Sequence, residues 1–173
     1  MAEIVNQIEV WLGRSVPESF VPDVRERTAE AFRIRLKTIE GAIDLVRATT
    51  GRFCVASSGP VEKIRLNLSL TGLLPFFEGR IFSSYEVGFW KPDPGLFLHA
   101  AHALGVEPQE CAVVEDSLPG IQAGVAAGMG VFAFQPNGVD PGIPPGVVIV
   151  KRLSDLQSII GAGQAADHEQ PMI

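Results

Sequence analysis

A parallel β-sheet covered on both faces by helices is the fold class this sequence predicts. Two observations carry the expectation. Short apolar runs at 53–56, 81–82, 111–114, 130–134 and 147–150 alternate with helical stretches, the pattern of parallel strands joined by helical crossovers. The polar residues that stand out, Ser57 and Ser58, Lys91, Glu115 and Asp116, lie at or just beyond the carboxyl ends of such runs, where open parallel sheets gather their chemistry. The chain has 173 residues, 46% of them apolar, which suits one domain with a small appendage.

The elements follow in order. Residues 1–12 and 22–37 read as helices; in the second, Pro22 and Asp23 start the helix and Val24, Ala31, Phe32 and Leu36 fall near one face. A short helix at about 40–49 precedes the first strand, Phe53–Ala56, which runs into Ser57-Ser58-Gly59-Pro60 and a helix from Val61. After the second strand, Ile81-Phe82, a loop leads through Lys91-Pro92-Asp93-Pro94. Asp93 can cap, and Pro94 open, a helix that Gly105 ends. The third strand, Cys111–Val114, ends at Glu115-Asp116-Ser117. The next helix is rich in small residues (Gly120, Ala123, Gly124, Ala126, Ala127) and can pack close to a sheet. Strands at 130–134 and 147–150 follow, then a helix that Ser154 caps and that runs to about Ile160. The remaining residues, 161–173, show no periodicity and read as a loose tail.

Charge and cysteine usage exclude several classes. A net charge of −6 gives no field that would draw in a phosphate polymer, so neither nucleic acid nor an acidic membrane surface is an expected partner. There is no charged-then-apolar leader and no apolar run near twenty residues, so export and membrane spanning are not expected. Cys54 and Cys111 sit inside apolar strands and read as buried thiols in a reducing cytoplasm.

Each strand end has two readings. Ser57 and Ser58, followed by Gly59 at a helix start, offer a hydroxyl and N–H groups to an anion, yet the same residues serve as turn and cap. Lys91 is held in a loop stiffened by Pro92 and Pro94, as a phosphate clamp needs, and is equally an ordinary surface lysine. Glu115 and Asp116 are adjacent acids at a buried strand end, whose repulsion a hard cation such as Mg²⁺ relieves; capping by Asp116 alone does not call for two acids. Other nucleophile and metal patterns fail. Cys54 opens a Cys-x5 stretch that ends in proline instead of arginine, and His99 and His102, three apart on a helix, have no third ligand nearby.

Taken in order, Val-Ala-Ser57-Ser58-Gly-Pro, Lys91-Pro-Asp-Pro and Val-Val-Glu115-Asp116-Ser-Leu-Pro-Gly resemble the second, third and fourth motifs of the haloacid dehalogenase superfamily, nearest to its sugar-phosphate phosphatases and phosphoglucomutases. The resemblance covers about residues 40–160. It implies a three-layer, Rossmann-type core over 39–160, with 1–38 as a remnant of a helical cap. It further implies that Ser57 binds the transferring phosphoryl group with Ser58 and Gly59 beside it, that Lys91 neutralises it, and that Glu115 and Asp116 hold Mg²⁺ directly or through water. The expected substrate is a small phosphorylated metabolite, a sugar phosphate first among them, and the expected location is the cytoplasm.

One motif of that family is not found. Its first strand ends in Asp-x-Asp, where one carboxylate attacks phosphorus to give an aspartyl-phosphate and the other serves as acid and base. The aspartates here are 23, 44, 93, 116, 140, 155 and 167, and no two are separated by a single residue. The expectation is a core whose first strand is missing, together with a loop and the first cap helices, about 40–50 residues at usual element lengths. The alternative is a catalytically dead fragment, or an anion-binding or regulatory module without turnover. By the resemblance, the missing strand belongs between the strands leading to Ser57 and to Glu115. Those two would then pair directly, admit another chain, or leave the fragment partly molten.

Overall fold

The computed structural model describes residues 2–157, and the expected loose tail lies outside them. The chain divides into two compact units, 1–36 and 37–173. The first holds two helices, α1 (Ala2–Leu12) and α2 (Phe20–Arg35). Helix α2 starts two residues before the predicted start, because Pro22 is tolerated within a first turn, where N–H groups have no helical partner. No residue of α2 is buried; Trp11 on α1 and Ile34 on α2 are 77% and 82% exposed.

The second unit alternates strands and helices as the sequence predicts: α3 (Ala42–Ala48), β1 (Val55–Ser57), α4 (Val61–Leu70), α5 (Leu74–Phe77), β2 (Ile81–Ser83), α6 (Ser84–Val87), α7 (Gly95–Leu104), β3 (Ala112–Glu115), α8 (Leu118–Ala126), β4 (Gly130–Phe134) and β5 (Val148–Val150). Residues 153–157 are helical, so Ser154 lies inside the first turn and not at its cap. Among the described residues the three strand pairings are parallel. β1 pairs with β2, Ala56 opposite Phe82, while β3, β4 and β5 form a second ladder, Glu115 opposite Ala133 and Phe132 opposite Val148.

Alternation along the strands builds three layers. Val113, Val131 and Ala133 face α7 and α8, where Phe97, Ala100, Ala101, Ile121 and Ala123 are buried. Val114, Phe132 and Phe134 face the other way, against Leu45 of α3 and Leu153 and Leu156. On that same side Val55 and Ile81 pack on Ile64 and Leu68 of α4 and Phe77 of α5. Each such fully buried aliphatic or aromatic side chain contributes on the order of 1.5–3 kcal/mol.

Two corrections to the sequence reading concern β1 and β3. Both strands sit one to two residues later than their apolar runs, because the ladder begins only where a neighbour lies alongside: Val55 donates to Arg80 O and Gly130 donates to Cys111 O. The expected single sheet is also two, in the orders β1-β2 and β3-β4-β5. β1 and β3 have not closed onto each other. A cavity of about 210 Å³ lies where their edges face, lined by Cys54, Val55 and Ala56 from one side and Val114 and Glu115 from the other, with Phe97 among its walls.

Candidate active site

The carboxyl ends of β1 and β3 border a cavity of about 430 Å³ lined by Ser57, Ser58, Gly59, Lys91, Glu115 and Ser117 together with Lys63 and Asn67 of α4. Ser57 closes β1, and its Oγ accepts a hydrogen bond from Gly59 N at 3.2 Å. The hydroxyl and the amide expected to receive an anion thus hold each other in the turn. The turn is pinned from below by Ser83, fully buried at the end of β2, whose Oγ donates to Gly59 O at 2.7 Å and accepts from Tyr85 N at 3.2 Å.

Lys91 reaches this cavity from the loop before α7. Helix α7 begins at Gly95 with Pro94 as its N-cap, one residue later than predicted; Asp93, just before the cap, still accepts from Gly95 N at 2.7 Å through Oδ1, and Gly105 (φ 66°) ends the helix as expected. The Lys91 ammonium donates to Ala56 O at 3.2 Å, lies 4.7 Å from the centre of the Phe97 ring and pairs with Glu115 Oε2. Val55 is engaged with β2, so the alternation of a parallel ladder turns the Ala56 carbonyl toward β3, and the ammonium satisfies it there. Both partners of the ion pair are only 10% exposed at the side chain. This is not an ordinary surface lysine.

Glu115 is bound at both oxygens. Oε1 accepts from Asp116 N at 3.1 Å, Ser117 N at 3.1 Å and Ser117 Oγ at 2.9 Å, while Oε2 takes Lys91. Burial alone would raise its pKa; the Lys91 ammonium overrides that, with help from the Ser117 donors, and holds the carboxyl below its ordinary value. Asp116 behaves oppositely. It does not line the cavity and is exposed. Partial burial first, then the neighbouring Glu115 carboxylate, push its pKa up.

The structure therefore brings together Ser57, Ser58, Gly59, Lys91 and Glu115, and leaves Asp116 beside the cluster. A cation suits this pair of acids: both offer hard oxygens, and the upward push that Glu115 exerts on Asp116 is the repulsion a divalent ion relieves. Among the described residues no group of three or more His, Cys, Asp or Glu side chains gathers around a common point. Sequence reasoning passed over Ser83 and Ser117. Each is a serine at or just past the carboxyl end of a strand, the signal that singled out Ser57, so the same rule would have found them.

A family model described as haloacid dehalogenase-like hydrolase matches residues 4–128, more than half of the chain. The chain belongs to the haloacid dehalogenase-like hydrolases. Its likeness to them places it by resemblance among phosphoric monoester hydrolases, as the motif order predicted. It is 36% identical over 160 residues to a 6-phosphogluconate phosphatase of Escherichia coli K12, covering 91% of this chain and 72% of that one. Among solved structures, it is similar to a haloacid dehalogenase-like protein of Agrobacterium tumefaciens C58, with a TM-score of 0.74, 27% identity and coverage of 94% and 78%. It is also similar to a family hydrolase of Deinococcus radiodurans R1 with bound phosphate and sodium, with a TM-score of 0.71, 25% identity and coverage of 92% and 75%. Among the described residues no helix is long and apolar enough to cross a membrane.

Proposed function

We propose that this chain is the core of a Mg²⁺-dependent, cytoplasmic phosphatase for a small phosphorylated sugar or sugar acid, and that its nucleophile comes from an Asp-x-Asp strand outside these 173 residues. The observation that carries the reading is the buried Lys91–Glu115 pair at the mouth of the Ser57 turn: a fixed cation beside anion-binding groups in a cavity large enough for a phosphoryl group. The 6-phosphogluconate phosphatase relative supports the substrate class.

In this reading Ser57 exchanges its bond with Gly59 N for bonds to phosphoryl oxygens, and the freed amide adds a second donor. Lys91 offsets charge on the transferring group, a role that preorganised cations fill with little reorganisation. Asp116 would take the metal directly. Glu115, both of whose oxygens are already bonded, would act on it through water, and it keeps Lys91 in place. Bound Mg²⁺ would supply positive charge against the phosphoryl oxygens. The incoming strand would enter between β1 and β3, whose facing edges line the 210 Å³ cavity.

The test is turnover of 6-phosphogluconate, fructose 1-phosphate and p-nitrophenyl phosphate with Mg²⁺ by the chain joined to such a strand. Lys91→Ala should lower kcat by about 10²–10³-fold, as loss of one charge-stabilising group does. A change in KM alone would assign Lys91 to docking, and no turnover of any phosphate ester would favour an anion-binding module.

A further inference from the structure

Gln135 stands outside the cluster just described, at the carboxyl end of β4, and is only 9% exposed. Its Nε2 donates to Asp116 O at 2.9 Å and to Phe134 O at 3.2 Å, and its Oε1 accepts from Asp140 N at 3.2 Å. Its own N–H donates to Val150 O at 2.8 Å, which fixes the residue to β5. Asp140 in turn closes its loop by accepting from Gly142 N at 2.8 Å, and that loop returns to α8, where a β-carbon on Gly142 would come within 2.8 Å of Leu118. One buried amide therefore ties the acidic loop after β3 to the loop at 136–142.

The two acids are oriented by different means. Glu115 is aimed through its own carboxylate, by Lys91 and the three donors at Oε1. The Asp116 side chain is exposed, and Gln135 holds the main chain it springs from by donating to the Asp116 carbonyl. An apolar residue would cap β4 without the desolvation cost of an amide, whereas this amide spends both N–H groups on carbonyls.

We propose that Gln135 is a positioning residue for the cation site: it holds the Asp116 main chain so that the carboxylate stays aimed, and it couples the 136–142 loop to cation binding. The inference rests on the reading of Asp116 as a metal ligand.

The experiment titrates the 173-residue chain with Mn²⁺, following the free-ion EPR signal, for the unaltered chain, Gln135→Met and Asp116→Asn. In parallel, amide hydrogen exchange of the unaltered chain is compared with and without Mg²⁺. Asp116→Asn should abolish uptake, and Gln135→Met should weaken it about tenfold, the scale on which partners of metal ligands act, while still melting cooperatively. Mg²⁺ should slow exchange at the Asp140 amide along with the Ser117 amide, although Asp140 N is bonded to Gln135 and not to either acid. If Asp116→Asn abolishes uptake but Gln135→Met binds Mn²⁺ as tightly as the unaltered chain, the positioning role is overturned. Should Gln135→Met fail to fold, the exchange comparison decides: protection at Ser117 without protection at Asp140 overturns the coupling. An unaltered chain that takes up no Mn²⁺, or an Asp116→Asn chain that binds like it, overturns the metal reading on which the proposal stands.

Discussion

A β-carbon at position 120 would lie 2.2 Å from the Glu115 carboxyl carbon, so the glycine in Glu-Asp-Ser-x-x-Gly makes room for the acid beneath the first turn of α8. Gly120→Ala should push Glu115 off Lys91 and cost about 1–3 kcal/mol, as overpacking does; urea denaturation of the variant checks it. Lys91→Met should cost about 3 kcal/mol, because it leaves a carboxylate buried without its cation, and adding Glu115→Gln should restore part of the loss. The pH dependence has a definite sign. The Glu115 pKa is lowered in the folded chain from its ordinary 4.5. Its contribution to stability is therefore complete above about pH 4.5 and is lost as pH falls below that through the depressed value, and in Lys91→Met this acid-side loss should shrink. At this scale the sequence was legible where chemistry clusters along the chain. Lys91, Ser57 and Glu115 meet as their motifs predicted; Ser83 is legible as a serine at a strand end, but its partner is not, because the Gly59 carbonyl 24 residues away leaves no trace in residue type.

The elements were legible where their signals are local. The start of α4 at Val61, both ends of α7 to within a residue, and β4 at 130–134 match the reading from caps, glycines and apolar runs. The short helices α5 and α6 were not foreseen, since four residues leave no room for a period to show. β1 and β3 were misplaced by one to two residues because an apolar run marks burial, while a strand's limits are set by its neighbour. Close packing at α8 has a test of its own. A β-carbon on Gly124 would meet Val131 Cγ2 at 2.9 Å and Val113 at 3.5 Å, which leaves no space for more than a slight adjustment. Gly124→Val should lower stability by about 1–3 kcal/mol, whereas Gly128→Ala, with no atom nearby, should act only through its positive φ. Thermal melts of the two variants side by side separate packing from backbone strain.

Across the whole molecule, the order of the motifs and the strict alternation of strands and helices made the parallel three-layer architecture readable. The division of the strands into two ladders was readable only through the resemblance, because no property of Phe53–Ser57 or Cys111–Glu115 states which strand should lie between them. The division falls in a sequence that contains no Asp-x-Asp. In the proposed reading, one strand seated between β1 and β3 would fill the cavity there and bring the nucleophile to the site. The direct measurement is phosphatase activity with Mg²⁺ for the 173 residues alone, for the same chain with a separately made segment bearing an apolar strand that ends in Asp-x-Asp, and for that segment with its first aspartate changed to asparagine. The expected result is no turnover alone, turnover with the segment and none with the asparagine form, together with a sharper and higher thermal transition for both segments. EDTA-sensitive turnover by the 173 residues alone, or a thermal transition unmoved by either segment, would contradict it.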